Sequence, residues 1–316
     1  MNQQNPKIVF YTKRSFSKKI SATFDFLEEN WKVILKYTTF LLFPVSILQA
    51  LTFNKVLEEL FKMQAMQKAG GDPWEILKKM IFKADFIANY GLMLLCIVVG
   101  SILFASLLYA IMQVYNEREE GLKGITFSGL KNRIIKNAER FLYIFLFSLG
   151  ITIVACVILF CLTLITPVTL FLTIPLVLVC AVPLALFTPV YLFEDISIVR
   201  AFIKSFRLGF ATWRGVFVVG LLLGIMAYIL TVIASVPWYV AFMVKQIFIF
   251  SDMQSGITVS VGYGVMLYLF AVIQVFCSYL SRTLIEIGLA YQYAHAREKI
   301  DNTCCAFRKT EDRLFI

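Results

Sequence analysis

The amino-acid sequence predicts an all-α fold, namely a polytopic membrane helical bundle with six transmembrane helices. Of its 316 residues, 59% are hydrophobic and only 16% are charged, whereas soluble domains are about one quarter charged. The apolar residues form six long runs, and about 20 apolar residues in a helix suffice to cross the hydrocarbon core of a bilayer. Lys and Arg are concentrated between alternate runs. Because every backbone polar group in lipid needs an internal partner, we expect each run to be a helix.

The six runs are separated by polar loops or, in one case, by a tight turn. Apart from Lys36, close to the start of the first run, they contain no Asp, Glu, Lys or Arg. They cover residues 33–53, 88–115, 141–166, 168–192, 215–236 and 260–281. The fourth run contains Pro175, Pro183 and Pro189, and each proline removes a helix hydrogen bond. We therefore expect a tilted or broken helix in this run.

The distribution of cations predicts the orientation, because cytoplasmic loops are enriched in Lys and Arg. One set of segments contains 22 of the 30 Lys and Arg residues, whereas the opposite set contains 7. The first set comprises residues 1–32, 116–140, 194–214 and 282–316. Both termini are therefore expected on the cytoplasmic side and the loop 54–87 on the outer side.

The outer loop 54–87 is predicted to form a small helical hairpin around Gly70-Gly71. Asp72-Pro73-Trp74-Glu75 has the pattern of a helix start, with Asp as N-cap, Pro at the first helical position and Glu at the third. We favour a structural cap over the outer face; a partner-binding surface is the alternative.

Three cytoplasmic segments share a pattern. Residues 15–32, 126–141 and 195–214 each begin with an apolar residue and Ser, carry cations beside an apolar stripe at helical spacing, and end with an aromatic residue. The stripes are Phe16, Ile20, Phe24 and Leu27; Leu130, Ile134 and Phe141; and Ile198, Phe202 and Phe206.

This recurrence favours three repeats of an interfacial amphipathic helix plus a two-span hairpin. The repeats would cover residues 15–115, 126–193 and 195–293 of a single integral membrane domain, 1–316, with a polar cytoplasmic tail at 294–316. The alternative is that any multi-span protein needs cationic, aromatic-flanked inner loops.

A helix with cations on one face and aromatic residues on the other is expected to lie in the headgroup plane, which accounts for the net charge of +10. We therefore expect contacts with anionic lipid headgroups or a protein partner, or a homo-oligomer, and no nucleic acid, since no recognition motif is present. The candidate contact residues are Lys18, Lys19, Lys131, Arg133, Lys136, Arg200, Lys204, Arg207, Trp213 and Arg214.

One stretch also points to a family. An apolar span ends in Pro189, an acidic turn with Glu194 follows, and then a basic helix with Lys204-Ser205 leads to Trp213-Arg214. This stretch resembles the membrane domain of some glycerophosphodiester phosphodiesterases and of related uncharacterised bacterial inner-membrane proteins. The resemblance implies a multi-pass helical bundle of the bacterial cytoplasmic (inner) membrane. The phosphodiesterase activity is not implied, because the catalytic barrel with its His-Arg-Gly start is absent.

The sequence contains few residues or motifs that indicate a catalytic or ligand-binding site. Motifs for nucleotide binding, a nucleophilic serine or zinc hydrolysis are missing, so we expect no enzyme, cofactor or metal site. The sole histidine, His295, is expected to face solvent or headgroups. The vicinal pair Cys304-Cys305 is expected to be reduced cytoplasmic thiols, with lipidation or redox sensing as the alternatives.

Two functions remain open. The first is a non-enzymatic scaffold, assembly factor or membrane-homeostasis component that uses its cytoplasmic helices. The second is a transporter or channel for a neutral or lipid-like substrate, passing by the kinked fourth span. We expect the interior of the bundle beside Pro175 and Pro183 to contain no water-filled cavity. Arg282 and Glu286 are four residues apart on the last helix, and we interpret them as a structural pair. The substrate-path candidates of the second function are Pro175, Pro183, Gln274, Arg282 and Glu286, with Thr163, Thr166 and Thr173 as polar neighbours.

Overall fold

The structure, a computed structural model, describes residues 7–68, 70–166, 168–255 and 260–314. This part of the chain contains nine helices and no strand. The helices are α1 (Phe16–Lys68), α2 (Pro73–Ile81), α3 (Ala84–Glu117), α4 (Phe127–Ile165), α5 (Thr169–Leu184), α6 (Phe187–Phe193), α7 (Ile198–Ala211), α8 (Trp213–Ser255) and α9 (Val261–Leu314).

Within the described residues, six helical stretches are long and apolar enough to cross a membrane. They are Phe16–Gln64, Ala84–Glu117, Phe127–Leu164, Thr173–Phe193, Trp213–Phe248 and Val261–Asp301. The predicted all-α bundle with six spans is thus confirmed, and the chain is an integral membrane protein.

The chain divides into two compact units. Unit 1 comprises Met1–Leu35, Ala105–Met226 and Thr283–Ile316, and unit 2 comprises Lys36–Phe104 and Ala227–Arg282. Helices α4 to α7 belong wholly to unit 1 and α2 wholly to unit 2, whereas α1, α3, α8 and α9 contribute residues to both.

Only one of the three predicted interfacial helices is a separate element. Residues 15–32 lead into the first span within α1, and residues 126–141 do so within α4. The prediction of helices separate from these spans is wrong, because neither junction contains a Gly, Pro or turn residue that would end a helix. Residues 195–214, in contrast, form α7, which ends where Thr212 leaves helical geometry and donates its hydroxyl to the Leu208 carbonyl.

The buried face of α1 in unit 1 also differs from the predicted stripe. Phe16 and Phe24 are exposed, whereas Lys19, Thr23, Phe26 and Asn30 are buried. The polar members of this face have partners: Thr23 donates to the Lys19 carbonyl and Asn30 to the Phe26 carbonyl, both at 3.0 Å. In α4, the predicted Leu130 and Ile134 are buried.

The fourth span is broken, as predicted. Helix α5 contains Pro175 and Pro183 and ends at Leu184, and α6 begins three residues later at Phe187. Helix α6 ends at Phe193, and the backbone N–H of the next residue, Glu194, donates to the Val190 carbonyl at 3.1 Å. The chain then turns directly into α7, so these short elements place charged residues immediately beside the end of a span.

In unit 2, the outer loop has the predicted helix start. The Asp72 carboxylate accepts the Trp74 backbone N–H at 3.3 Å, and Pro73 opens α2. The preceding helix is not a separate element but the last part of α1, and Gly70 makes the turn with a φ of 90°. Glu59 of α1 and Lys83, which follows α2, form an ion pair at 2.9 Å.

The segment predicted as a polar tail continues α9 to Leu314. Cys304 and Cys305 belong to this helix by their backbone, but their side chains lie outside the described part of the structure.

Candidate functional site

A buried carboxylate organises the polar end of unit 1. Glu194, at the end of α6, is 9% exposed. Its carboxylate lies 2.9 Å from the Lys204 ammonium of α7 and accepts the Tyr293 hydroxyl of α9 at 2.7 Å. The Arg297 guanidinium lies 3.8 Å away. These donors offset the cost of removing the charge from water, so Glu194 joins α6, α7 and α9.

The same network extends to the end of the described side chains of α9. Asp301 lies 2.9 Å from the Lys204 ammonium and 2.7 Å from the Arg207 guanidinium. Lys204 and Arg207, which the sequence suggested as lipid or partner contacts, are therefore paired with carboxylates of their own chain.

A cavity of about 440 Å³, here the Arg140 cavity, lies beside this network. Each of its three cations has a carboxylate partner: Arg133 pairs with Glu117, and Lys136 (3.5 Å) and Arg140 (3.1 Å) share Asp195.

Tyr11 also lines the Arg140 cavity. Burial raises the pKa of its hydroxyl above the ordinary value, and the neighbouring Arg297 guanidinium, 4.8 Å from the ring centroid, opposes this. The hydroxyl is therefore a neutral polar group of this cavity.

A second cavity of about 530 Å³, here the Lys19 cavity, has a different charge. It lies where α7 ends and α8 begins, and no Asp or Glu is among its described lining residues. The lining comprises Lys19, Phe210, Ala211, Thr212, Trp213, Arg214, Gly215, His295 and Lys299. Of the candidate contacts from the sequence, Lys19, Trp213 and Arg214 are thus brought together here.

Gln292 forms the buried floor behind this cavity. It is fully buried, and its Oε1 accepts the Lys19 ammonium at 2.7 Å. Its Nε2 has no hydrogen-bond partner among the described residues. A Cβ atom on Gly215 would lie 2.8 Å from this Nε2, so only a glycine lets the amide approach α8 this closely. Gln292 was not among the residues predicted from the sequence; its place between Tyr291 and Tyr293 was the available sign that this part of α9 is buried.

Two further lining residues have a fixed orientation. His295 Nδ1 accepts the Arg14 backbone N–H at 3.0 Å, so Nε2 carries the proton in the neutral ring and can donate it. Trp213 stacks on Phe217 with ring centroids 5.1 Å apart and donates its indole N–H to the Val179 carbonyl at 3.2 Å. The expectation that His295 faces solvent or headgroups stays a prediction, and the structure adds that the ring lines a cavity.

Helix α7 exposes an apolar stripe, but not the predicted one. Phe202 packs against Phe147 and Phe187, with ring centroids 5.4 and 5.7 Å apart. The exposed apolar residues are Val199, Ile203 and Phe210, and Ile203 is 62% exposed. Ala201, Ser205 and Gly209 are buried instead, because small residues let α7 approach its neighbours closely.

Some predicted contact residues point away from the chain. Lys18, Lys131, Arg200 and Arg214 have exposed side chains and make no ion pair within the described part of the structure. They are the cations of the original set that remain available to an outside ligand.

The substrate-path candidates fall in different units. Pro175 (exposed), Pro183 (buried) and Glu286 belong to unit 1, whereas Gln274 and Arg282 belong to unit 2. Glu286 accepts the Tyr109 hydroxyl at 3.2 Å. Arg282 donates to Ser101 at 3.3 Å.

The polar neighbours of the fourth span are bonded within their own helices. Thr163 donates to the Phe160 carbonyl at 2.7 Å and Thr173 to the Thr169 carbonyl at 2.9 Å. Within the described residues, no group of three or more His, Cys, Asp or Glu side chains could hold a metal ion.

Comparisons with known proteins give no relative: no family model, no curated protein and no solved structure matches this chain. The resemblance to the membrane domain of glycerophosphodiester phosphodiesterases therefore stays a prediction.

Proposed function

We propose that this protein is a non-enzymatic scaffold or homeostasis component of a membrane, and that its cytoplasmic end binds the anionic lipid surface through α7. The observation that carries the proposal is the exposed face of α7, where Val199, Ile203 and Phe210 lie beside Arg200. A helix of this kind places its apolar residues at the boundary of headgroups and acyl chains and its cations among the phosphates.

The position of α7 in the chain supports this assignment. The helix begins five residues after the end of a span and ends two residues before the next one begins. Its opposite face is fixed by Lys204, which pairs with Glu194 and Asp301. The helix is thus held rigidly beside two spans, and its apolar stripe needs no rearrangement to reach the interface.

The orientation and the membrane are parts of the same proposal. We assign the end with α7 to the cytoplasmic side because the cations lie mainly there, and the resemblance stated above favours a bacterial inner membrane. Anionic lipid then attracts this end, at about 1 kcal/mol for each Lys or Arg near the surface.

Depth-dependent quenching tests the proposal. The chain, with its native cysteines replaced by Ala, receives a single cysteine carrying an environment-sensitive fluorophore, either by Ile203→Cys or by Asp195→Cys. In nanodiscs, lipids brominated on the acyl chains should quench the probe at position 203 strongly. The matched probe at position 195 should stay unquenched, because the Asp195 side chain is 82% exposed on a polar turn. Equal quenching at the two positions would refute lipid contact by α7.

The role of charge is tested by Arg200→Glu in the same system. It should reduce the difference in quenching at position 203 between nanodiscs with and without anionic lipid. Lys79→Glu is the matched control, since Lys79 is an equally exposed cation of the outer loop, and it should have no effect.

Transport of a neutral solute is the second candidate. The observation that favours it lies in unit 2, where Gln246 Nε2 and Gln274 Oε1 are buried without a hydrogen-bond partner among the described residues. Such atoms call for an explanation such as a bound water or ligand. Solute uptake by proteoliposomes that is abolished by Gln274→Leu, with the probe at position 203 unquenched, would favour transport over the scaffold.

A further inference from the structure

We propose that the Lys19 cavity is a binding site for the phosphate group of an anionic phospholipid. The inference rests on the proposed lipid contact and adds to it a specific site, built from the end of α7, the first turn of α8 and one face each of α1 and α9.

The charge of the cavity is the first argument. Lys19, Arg214 and Lys299 line it together with His295, and the described lining includes no carboxylate. The Arg140 cavity has as many cations, but each of them pairs with Glu117 or Asp195, which also line it. The Lys19 cavity, whose described lining has no carboxylate, is therefore better suited to an anion than the Arg140 cavity.

The backbone of α8 is the second argument. Trp213, Arg214 and Gly215 form the first turn of this helix and line the cavity. The N–H groups of a first turn have no partner within their helix and carry the positive end of the helix dipole. Helix N-termini bind phosphate groups for this reason.

The buried amide of Gln292 is an independent argument. The oxygen and nitrogen of a Gln amide are assigned from their partners, and here the Lys19 ammonium, which only donates, fixes Oε1 on its own side. Nε2 must therefore face Gly215 as a buried donor without an acceptor. Leaving such a donor unsatisfied is costly. A phosphate oxygen or a water held by the phosphate supplies the missing acceptor.

The apolar surroundings identify the phosphate as that of a lipid. Phe210, exposed, and Trp213 line the cavity, and Phe217, also exposed, follows one turn later in the span. Aromatic residues at this level are typical of the membrane interface. A phospholipid can thus place its phosphate in the cavity while its acyl chains run along the exposed apolar surface of α8.

The test uses the full-length protein in detergent and follows its thermal stability while ligand is added. The probes are dihexanoyl phosphatidylglycerol, which is anionic, dihexanoyl phosphatidylcholine, which is zwitterionic because a choline cation follows its phosphate, and inorganic phosphate. Phosphatidylglycerol should stabilise the protein at concentrations at least about fivefold lower than phosphatidylcholine, because the cavity has cations and no carboxylate to meet the choline group. Stabilisation by inorganic phosphate at similar concentrations would overturn the assignment to a lipid.

Two substitutions localise the site. Arg214→Gln removes an exposed cation of the Lys19 cavity and should weaken the effect of phosphatidylglycerol about fivefold. Arg133→Gln makes the same change in the Arg140 cavity. It should alter the effect of phosphatidylglycerol less than about twofold, since Arg133 is already paired with Glu117. Equal effects of the two substitutions would mean that only general surface charge matters, which contradicts a site.

A third substitution tests the buried donor. Gly215→Ala fills the space in front of Gln292 Nε2 without changing the charge, so it should weaken phosphatidylglycerol binding while Gly224→Ala, later in α8 with open space around it, should not. The probe at position 203 separates the two proposals. If the probe stays quenched while Arg214→Gln and Gly215→Ala do not change phosphatidylglycerol binding, the site in the Lys19 cavity is refuted and lipid contact by α7 stands. If the probe is unquenched, the proposed function itself is refuted.

Discussion

The Cα atom of Pro183 lies 2.5 Å from the point that a Cβ atom on Gly209 would occupy. The break in the fourth span and the last turn of α7 therefore meet backbone against backbone. This contact explains how α7 is held against the fourth span, since no side chain of Gly209 separates the two elements. It also places Pro183 in the packing between α5 and α7.

Gly209→Ala should therefore destabilise the protein, because the new methyl group meets backbone atoms that cannot rotate away. We expect a loss of about 1–3 kcal/mol, measured as a lower midpoint of thermal or chemical unfolding in detergent. Gly150→Ala is the matched control in α4, where nothing lies within 4 Å of the new Cβ. It should be neutral or slightly stabilising, since Ala favours a helix over Gly. A similar loss for both substitutions would contradict the close contact.

Two adjacent carboxylates should differ in their effect on stability. Glu194→Gln removes the buried negative charge that Lys204 and the Tyr293 hydroxyl contact, and Lys204 keeps only its ion pair with Asp301, so we expect a loss of about 3 kcal/mol. Asp195→Asn changes a side chain that is 82% exposed, so its ion pairs should contribute less than about 1 kcal/mol. Unfolding midpoints of the two variants give the comparison, and a larger loss for Asp195→Asn would show that the network is not the stabilising element.

The two faces of the membrane can be assigned by labelling. A single cysteine introduced by Lys79→Cys in α2 should react with a membrane-impermeant maleimide in intact cells, because the outer loop is expected outside. One introduced by Lys123→Cys, in the loop between α3 and α4, should react only after the membrane is opened. The reverse result would invert the orientation and remove α7 from the cytoplasmic side.

Gln274→Leu should stabilise the protein, because the Gln274 Oε1 is buried without a donor among the described residues. Removing such an atom should gain about 1–2 kcal/mol, seen as a higher unfolding midpoint. Gln113→Leu is the opposite case, because Gln113 donates to the Leu192 carbonyl at 2.8 Å, and it should destabilise. A destabilised Gln274→Leu would show that the amide has an acceptor role in the folded protein.

The sequence predicts the spans well because lipid imposes a simple rule on them. Uncharged runs of sufficient length must be helices, and the prolines of the fourth run indicated a tilted or broken helix, which the structure shows as a break between Leu184 and Phe187. Helix α7 could be predicted as a separate element because polar turns flank it. The corresponding segments before the first and third spans have no such breaks, and they continue into those spans.

The candidate site was only partly predictable. Lys19, Trp213 and Arg214 stand out as cations and an aromatic residue beside spans, but local pattern assigns Lys19 to the surface. Its burial depends on Gln292, 273 residues later in the chain, and periodicity holds no information on such a pairing. The same holds for Asn30, whose polarity suggests exposure although its amide is satisfied within α1.

Helix α4 has a consequence for how this protein unfolds. Only 6% of its most apolar 18-residue window is buried inside the protein, so its position in the membrane depends on the partition of its side chains into hydrocarbon and hardly on docking. Insertion of membrane helices into the bilayer and their packing against one another are separate steps. In this protein, α4 can therefore stay inserted after its packing contacts are lost. A chain that has lost its native contacts would keep α4 inserted, and cellular quality control would then have to extract it from the bilayer before degrading it.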